Sequence, residues 1–132
     1  MPRKTTPEPP PRPTDAELAI LRVLWEQGSG TVREILDGVN AARPEPLAYT
    51  TVSSFLQIMT EKRLVVRTEG ARGHLYEAAL PAEGTKRQMV SDLMDRVFGG
   101  SAHALVLQAL GAGKVSAVEV RAIRKLLAEL EP

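Results

Sequence analysis

Residues 47–59 read LAYTTVSSFLQIM, and the prediction of the fold depends most on this stretch. If it is helical, its apolar side chains recur at positions i, i+3, i+4 and i+7 and form one continuous stripe. They are Val52, Phe55, Leu56 and Met59. The opposite face carries Thr50, Ser54, Gln57 and Glu61, with Thr51 on its flank. Hydroxyl and amide groups on a helix face suit hydrogen bonds to base edges and phosphates in a DNA groove. Taken alone, the stretch also fits an ordinary solvated helix face.

Two helices are predicted ahead of this stretch, because two capping boxes mark helix starts. The first box is TDAE at residues 14–17, and its helix is apolar on more than one side and ends at residues 28–30, GSG. The second box is TVRE at residues 31–34, and its helix has an apolar stripe with the same spacing. Pro44 and Pro46 interrupt the chain before the deciding stretch. Three short helices are therefore expected in close succession.

A β-hairpin is predicted directly after the third helix. Residues 64–68 and 74–78 are rich in β-forming residues, and GARG at residues 70–73 is a turn between them. Three helices followed by a hairpin are the winged-helix arrangement. In it, the third helix enters the major groove and the hairpin, called the wing, contacts the DNA backbone. Residues 14–80 are therefore predicted to form a winged-helix DNA-binding domain.

Residues 81–132 are predicted to form a helical dimerisation domain. A segment of about 50 residues with this much apolar helix surface is unstable alone. A homodimer buries such faces against their copies, and the alternative is that they pack against the N-terminal domain. The predicted dimer contacts are Leu93, Val97, Phe98, Leu105, Val120, Ile123, Leu127 and Leu130. The expected fold class is thus mainly α with a small β-hairpin.

The composition of the 132-residue chain is ordinary for a globular protein, with 43% hydrophobic and 25% charged residues. Its net charge of +1 provides no general attraction to nucleic acid, so DNA binding depends on where the basic residues lie. No signal peptide or membrane span is evident, and the expected location is the cytoplasm. Residues 1–13 are rich in proline and are predicted to be a disordered arm. Such an arm either contacts phosphates or, as we favour, has no specific role.

No catalytic or metal-binding pattern is evident, so an enzyme activity, a metal site and a cofactor are not expected. His74 and His103 lack further ligands at the spacing of a zinc site, and the chain contains no cysteine. The sequence GAGK at residues 111–114 lacks the first glycine and the final Ser or Thr of a phosphate-binding loop.

Several segments, taken together and in order, resemble the penicillinase and methicillin-resistance repressors of the BlaI/MecI type. They lie at residues 14–17, 21–25, 31–35, 47–52, 97–101 and 104–106. The resemblance covers residues 14–130 and implies an N-terminal winged helix with a C-terminal dimerisation region. It further implies a homodimer that binds a palindromic operator in double-stranded DNA and represses transcription.

The resemblance also implies roles for individual residues. The reading end of the recognition helix would be formed by Tyr49, Thr50, Thr51 and Ser54. Contacts to the backbone are implied for Gln57 and Lys62, and the wing would contribute Arg67 and Arg72. We add Arg33 to the basic residues that attract DNA without regard to sequence.

The sequence departs from the family pattern in several places. Arg63 follows the third helix where many relatives have glycine, so a left-handed helix end costs about 1 kcal/mol or the helix ends differently. Ile58 replaces a commonly basic residue, which removes one phosphate contact. Antibiotic-sensing relatives are cut by a regulatory protease at an Asn-Phe bond, whereas the one asparagine of this chain, Asn40, precedes alanine. The matching place is near Gln108-Ala109, so such a protease is not expected to act here in the same way. The cysteine pair of copper-responsive relatives is absent.

A function of a different class is also compatible with the sequence. A winged helix can serve as a protein-interaction module without a DNA ligand, and the near-neutral charge and the acidic Glu61 support that alternative. Salt distinguishes the two functions, because phosphate contacts make the affinity fall steeply as salt rises.

Overall fold

The computed structural model describes residues 12–131, so the predicted arm at residues 1–13 lies outside the described residues except for its last two. The helices and strands follow in the order α1 (Asp15–Gln27), α2 (Val32–Ala41), α3 (Tyr49–Glu61), β1 (Val65–Gly70), β2 (Gly73–Ala78), α4 (Ala82–Val97), α5 (Ala102–Gly111) and α6 (Ala117–Leu130). The predicted fold class, mainly α with a β-hairpin, is confirmed. Within the described residues the chain divides into two compact units, the first ending at Arg87 and the second beginning at Gln88.

Both predicted capping boxes of the first unit are present. At α1 the Thr14 amide donates to Glu17 Oε1 at 3.0 Å, and the Glu17 amide donates to Thr14 Oγ1 at 3.2 Å. At α2 the Thr31 amide donates to Glu34 Oε1 at 2.9 Å, and the Glu34 amide donates to Thr31 Oγ1 at 3.2 Å. Each pair satisfies amides that a helix start leaves without partners, which is why both helices begin where the sequence predicts.

The core of the first unit is built by the apolar faces of its three helices and of the hairpin. In α3, Val52, Leu56 and Met59 are fully buried, and Phe55 is half-buried at the edge of the stripe. The other buried apolar side chains are Ile20, Leu21, Leu24, Ile35, Leu36, Val39, Leu64, Val65 and Tyr76. The predicted apolar stripe therefore holds α3 against the core and leaves its opposite face exposed.

The end of α3 keeps the left-handed conformation although no glycine is present. Arg63 has a φ of 65°, and within residues 12–131 it is the non-glycine residue with a positive φ. The Leu64 amide donates to the Met59 carbonyl at 2.8 Å, and the Arg63 amide donates to the Thr60 carbonyl at 3.1 Å. These two bonds form the helix-ending motif that usually contains glycine. Of the two expected outcomes, the structure adopts the strained left-handed end.

The hairpin is antiparallel, with paired residues running from Val65 and Ala78 to Gly70 and Gly73. Its first strand begins one residue later than predicted. In the centre of β2, the amide of Tyr76 donates to the Gly30 carbonyl at 2.9 Å, and the Gly30 amide donates to the Tyr76 carbonyl at 3.0 Å. This isolated bridge connects the hairpin to the loop between α1 and α2. In the sequence Gly30 is predicted only as part of a helix stop, and no local pattern indicates its bridge to Tyr76.

The start of α4 is attached to the first unit. The indole Nε1 of Trp25 donates to the Leu80 carbonyl at 3.0 Å, and Thr85 is buried. The division between the units therefore falls within α4, between Arg87 and Gln88, whereas the sequence analysis drew the boundary at residue 81.

The second unit is built of helices with little burial. Ser101 caps α5, and Ser116 forms the predicted capping box with Glu119 at the start of α6. Neither α5 nor α6 contains a buried residue, and Leu130 is 74% exposed. Of the predicted dimer contacts, the exposed ones are Leu93, Val97, Val120, Leu127 and Leu130, and the partly buried ones are Phe98, Leu105 and Ile123.

Candidate nucleic-acid interface

The exposed face of α3 carries the side chains that the sequence analysis assigned to DNA reading. Tyr49 is 46% exposed, Thr50, Ser54 and Gln57 are exposed, and Thr51 is half-buried. Further along the same helix, Ile58 is also 46% exposed, so an apolar side chain lies on the outer surface between Gln57 and Glu61. The face is thus mostly polar, with one large apolar side chain and one acidic side chain near its end.

The loop that leads into α3 is held by a residue of α2. Asn40 Nδ2 donates to the Leu47 carbonyl at 3.1 Å, and the Leu47 amide donates to Asn40 Oδ1 at 2.8 Å. The N-cap residue, Ala48, makes no side-chain hydrogen bond to the helix. Asn40 therefore fixes the loop that leads into α3, while the start of the helix itself has no side-chain cap. This structural role of Asn40 was not predicted from the sequence, in which the residue is singled out only in relation to proteolysis.

Tyr49 is paired with a basic residue from the first turn of α2. The guanidinium carbon of Arg33 lies 5.4 Å from the centroid of the Tyr49 ring, which is the distance of a cation–π contact. This contact brings together two residues that are 16 positions apart in the sequence, and it supports the choice of Arg33 as a member of the site.

A concave surface joins the start of α2, the start of α3 and the turn of the hairpin. Its volume is about 480 Å³, and we call it the recognition cleft. Its lining residues are Thr31, Val32, Arg33, Glu34, Tyr49, Arg72, Gly73 and His74. The cleft therefore groups Tyr49 with Arg33 and Arg72, which are three of the residues that the sequence analysis assigned to DNA binding.

Two acidic residues lie beside the basic ones at the hairpin. Arg72 Nη2 lies 3.7 Å from Glu34 Oε2, and His74 Nδ1 lies 3.3 Å from Glu69 Oε1. The hydrogen bond from the Thr31 amide, with a smaller contribution from Arg72, keeps the pKa of Glu34 below its usual value. The cleft thus contains a carboxylate that is ionised at neutral pH, which the sequence analysis regarded only as a helix cap.

Lys62 lies outside the recognition cleft. Its ammonium donates to Glu17 Oε1 at 2.7 Å, and the Glu17 side chain is 3% exposed. Burial alone raises the pKa of Glu17, but the hydrogen bonds from Lys62 and from the Thr14 amide outweigh it and leave that pKa below its usual value. The pair joins the start of α1 to the end of α3.

Arg67 lies on a different part of the hairpin from Arg72. Together with Arg63 it lines a second concave surface of about 360 Å³ near the end of α3. The basic residues that lie close together in sequence between positions 62 and 74 are therefore distributed over three places. Arg63 belongs to this basic stretch of the sequence as well, and it lies with Arg67 and not with Arg72.

Two general findings concern the part of the chain that the structure describes. No group of three or more His, Asp or Glu side chains in residues 12–131 is arranged to hold a metal ion. Over the same range, no helix has the length and apolar character needed to cross a membrane.

Similar proteins of known family identify the family of this chain. The transcriptional regulator BlaI of Mycobacterium tuberculosis is 33% identical over 122 residues, which cover 89% of this chain and 83% of that protein. Among solved structures, the monomeric form of Bacillus licheniformis BlaI in complex with the blaP half-operator has a TM-score of 0.48 and 19% identity, covering 57% of this chain and 89% of that one. Reduced MarR from E. coli has a TM-score of 0.45 and 20% identity, covering 90% and 78%. The sequence model of the penicillinase repressor family matches residues 13–129, and the chain therefore belongs to that family.

Proposed function

We propose that the protein is a homodimeric transcriptional repressor that binds a palindromic operator in double-stranded DNA. The observation that carries the proposal is the exposed hydroxyl-bearing face of α3 beside the recognition cleft, in a chain of the penicillinase repressor family. Membership of this family and the likeness to a transcriptional regulator support repression of transcription as the biological role.

Base reading is assigned to the first turns of α3. Tyr49, Thr50 and Ser54 are exposed there, and Thr51 is half-buried beside them. Hydroxyl groups accept and donate hydrogen bonds to base edges in the major groove, and a threonine methyl group also contacts the thymine methyl. The uncapped start of α3 is compatible with close approach of a phosphate, because helix amides without partners attract anions.

Backbone contacts are assigned to the exposed polar and basic residues around α3. Arg33 and Arg72 face the recognition cleft, Gln57 lies on the outer face of α3, and Arg67 lies on β1. Lys62 is the weakest member of this set, because its ammonium already binds the buried carboxylate of Glu17.

Dimerisation is assigned to the second unit. The exposed apolar side chains of α4, α5 and α6 support burial against a second copy of the chain, since large exposed apolar patches mark interaction surfaces. A dimer of this kind addresses two half-sites separated by about 34–36 Å, one turn of the DNA helix.

The test measures binding of the full chain to a duplex that spans the promoter of its own gene. Thr50→Ala is expected to weaken binding by about tenfold and to relax the preference at one base position. Arg72→Ala is expected to weaken binding to all duplexes alike and to reduce the salt slope by about 1. Arg22→Ala on the exposed side of α1 is the matched control and should leave binding unchanged.

If both variants bind as well as the wild type, the assigned interface is wrong. If the wild type shows no duplex binding, or binding that does not depend on salt, the alternative of a protein-interaction module is favoured instead.

A further inference from the structure

Glu34 uses its two carboxylate oxygens for different partners. Oε1 accepts a hydrogen bond from the Thr31 amide at 2.9 Å, and Oε2 lies 3.7 Å from Arg72 Nη2. The capping box therefore holds the carboxylate in a fixed orientation while its second oxygen faces the hairpin turn. Glu34 is a group with a defined position and not a freely rotating surface side chain.

Arg72 is the more exposed partner of the pair. It lies in the two-residue turn of the hairpin, and its side chain is 77% exposed. Its guanidinium can thus reach either Glu34 or a phosphate that enters the recognition cleft. Ionised carboxylates and phosphates bind the planar guanidinium with the same forked geometry, so the two anions are equivalent ligands for Arg72.

We propose that Glu34 competes with the DNA backbone for Arg72 and thereby limits the affinity of the protein for DNA. The inference rests on the proposed function, because it concerns the same cleft. In the free protein Arg72 is paired with Glu34, and on binding it exchanges this carboxylate for a phosphate. The exchange reduces the net gain from the phosphate contact, because the pairing with Glu34 is lost when the phosphate binds.

The test is a double-mutant cycle with Glu34→Gln and Arg72→Gln. Glutamine at position 34 also completes a capping box, so α2 keeps its start while the charge is removed. Glu34→Gln is expected to bind a non-operator duplex about two- to fivefold more tightly at low salt, and this gain should disappear in the Arg72→Gln background. Glu26→Gln removes the same charge from an exposed position of α1 and is the matched control, with little change expected.

The outcomes separate this inference from the function on which it rests. If Glu34→Gln gives no gain, or the same gain with and without Arg72, the competition is refuted while DNA binding stands. If the wild type binds no duplex, both are refuted. A titration by NMR of the free protein checks the pair without DNA: Arg72→Gln should raise the pKa of Glu34, and an unchanged pKa would overturn the proposal.

Discussion

In the first unit, α1, α2, α3 and the hairpin enclose a shared apolar core, whereas in the second unit neither α5 nor α6 contains a buried residue. The second unit does not lack apolar side chains, since α5 is apolar around most of its surface. They differ in geometry. The helices and the hairpin of the first unit provide faces that cover one another, while the second unit leaves side chains such as Leu107 and Leu130 exposed.

The two units are therefore expected to have different roles. A unit with its own core can present a rigid surface, and the recognition cleft lies entirely on that unit. A unit with uncovered apolar faces is expected to gain stability by association, and under the proposed dimerisation its folding would depend on concentration. Repressor activity is then expected to follow the dimer equilibrium, although all the proposed DNA contacts belong to the first unit.

The largest effect is expected from a cavity in the first unit. Leu56 is fully buried in α3, and Leu56→Ala should lower the free energy of unfolding by about 2–5 kcal/mol because it removes packing and leaves a cavity. Chemical denaturation followed by circular dichroism measures this loss. Ile58→Ala in the same helix is the matched control and should cost much less, because Ile58 is 46% exposed. An equal loss for the two variants would contradict the assignment of Leu56 to the core and of Ile58 to the surface.

The second effect concerns association. Leu127 is exposed in the single chain and lies on the predicted dimer face of α6, so Leu127→Asp should raise the dimer dissociation constant by about 100-fold by burying an unpaired charge. Analytical ultracentrifugation measures the constant, and Glu129→Gln in the same helix should have little effect. A wild-type chain that is monomeric at micromolar concentration would contradict the contrast between the units.

The third effect is a dependence of stability on pH. Because the pKa of Glu17 is lowered in the folded state, its contribution is fully present above the usual titration of glutamate near pH ~4.3 and is lost as the pH falls through the lowered pKa. Glu17→Gln should therefore reduce stability by about 1.5 kcal/mol at pH 7, with a smaller difference in acid. Urea denaturation of the wild type and of the variant, at pH 7 and in acid, measures the difference in their free energies of unfolding. If this difference does not change with pH, the role of the ion pair is refuted.

The smallest effect concerns the end of α3. Arg63→Gly removes the side chain that opposes a φ of 65° and should stabilise the first unit by about 0.5–1 kcal/mol. Arg63→Ala keeps the β-carbon and should give no such gain, which separates backbone strain from loss of the guanidinium. Thermal unfolding of both variants measures the difference, and equal stability of the two would refute the strain.

Local features of the fold were predictable because their causes lie within a few residues. The capping boxes at Thr14 and Thr31, the apolar stripe of α3 and the glycine-bounded hairpin turn each depend on neighbouring side chains alone. For Arg63, two backbone conformations were compatible with the sequence. The structure has the left-handed one, and the neighbouring side chains of Met59 and Leu64 are both packed in the core.

The order of the elements, the exposed face of α3 and the types of side chain on that face follow from local sequence patterns. Which basic residues share a surface depends instead on the packing of the folded chain. Arg33 meets Tyr49, Arg72 meets Glu34 and Lys62 meets the buried Glu17 because separate elements cross in space, and no periodicity encodes such crossings. The bridge between Gly30 and Tyr76 has the same cause, since backbone pairing between distant segments depends on the completed core and not on local pattern.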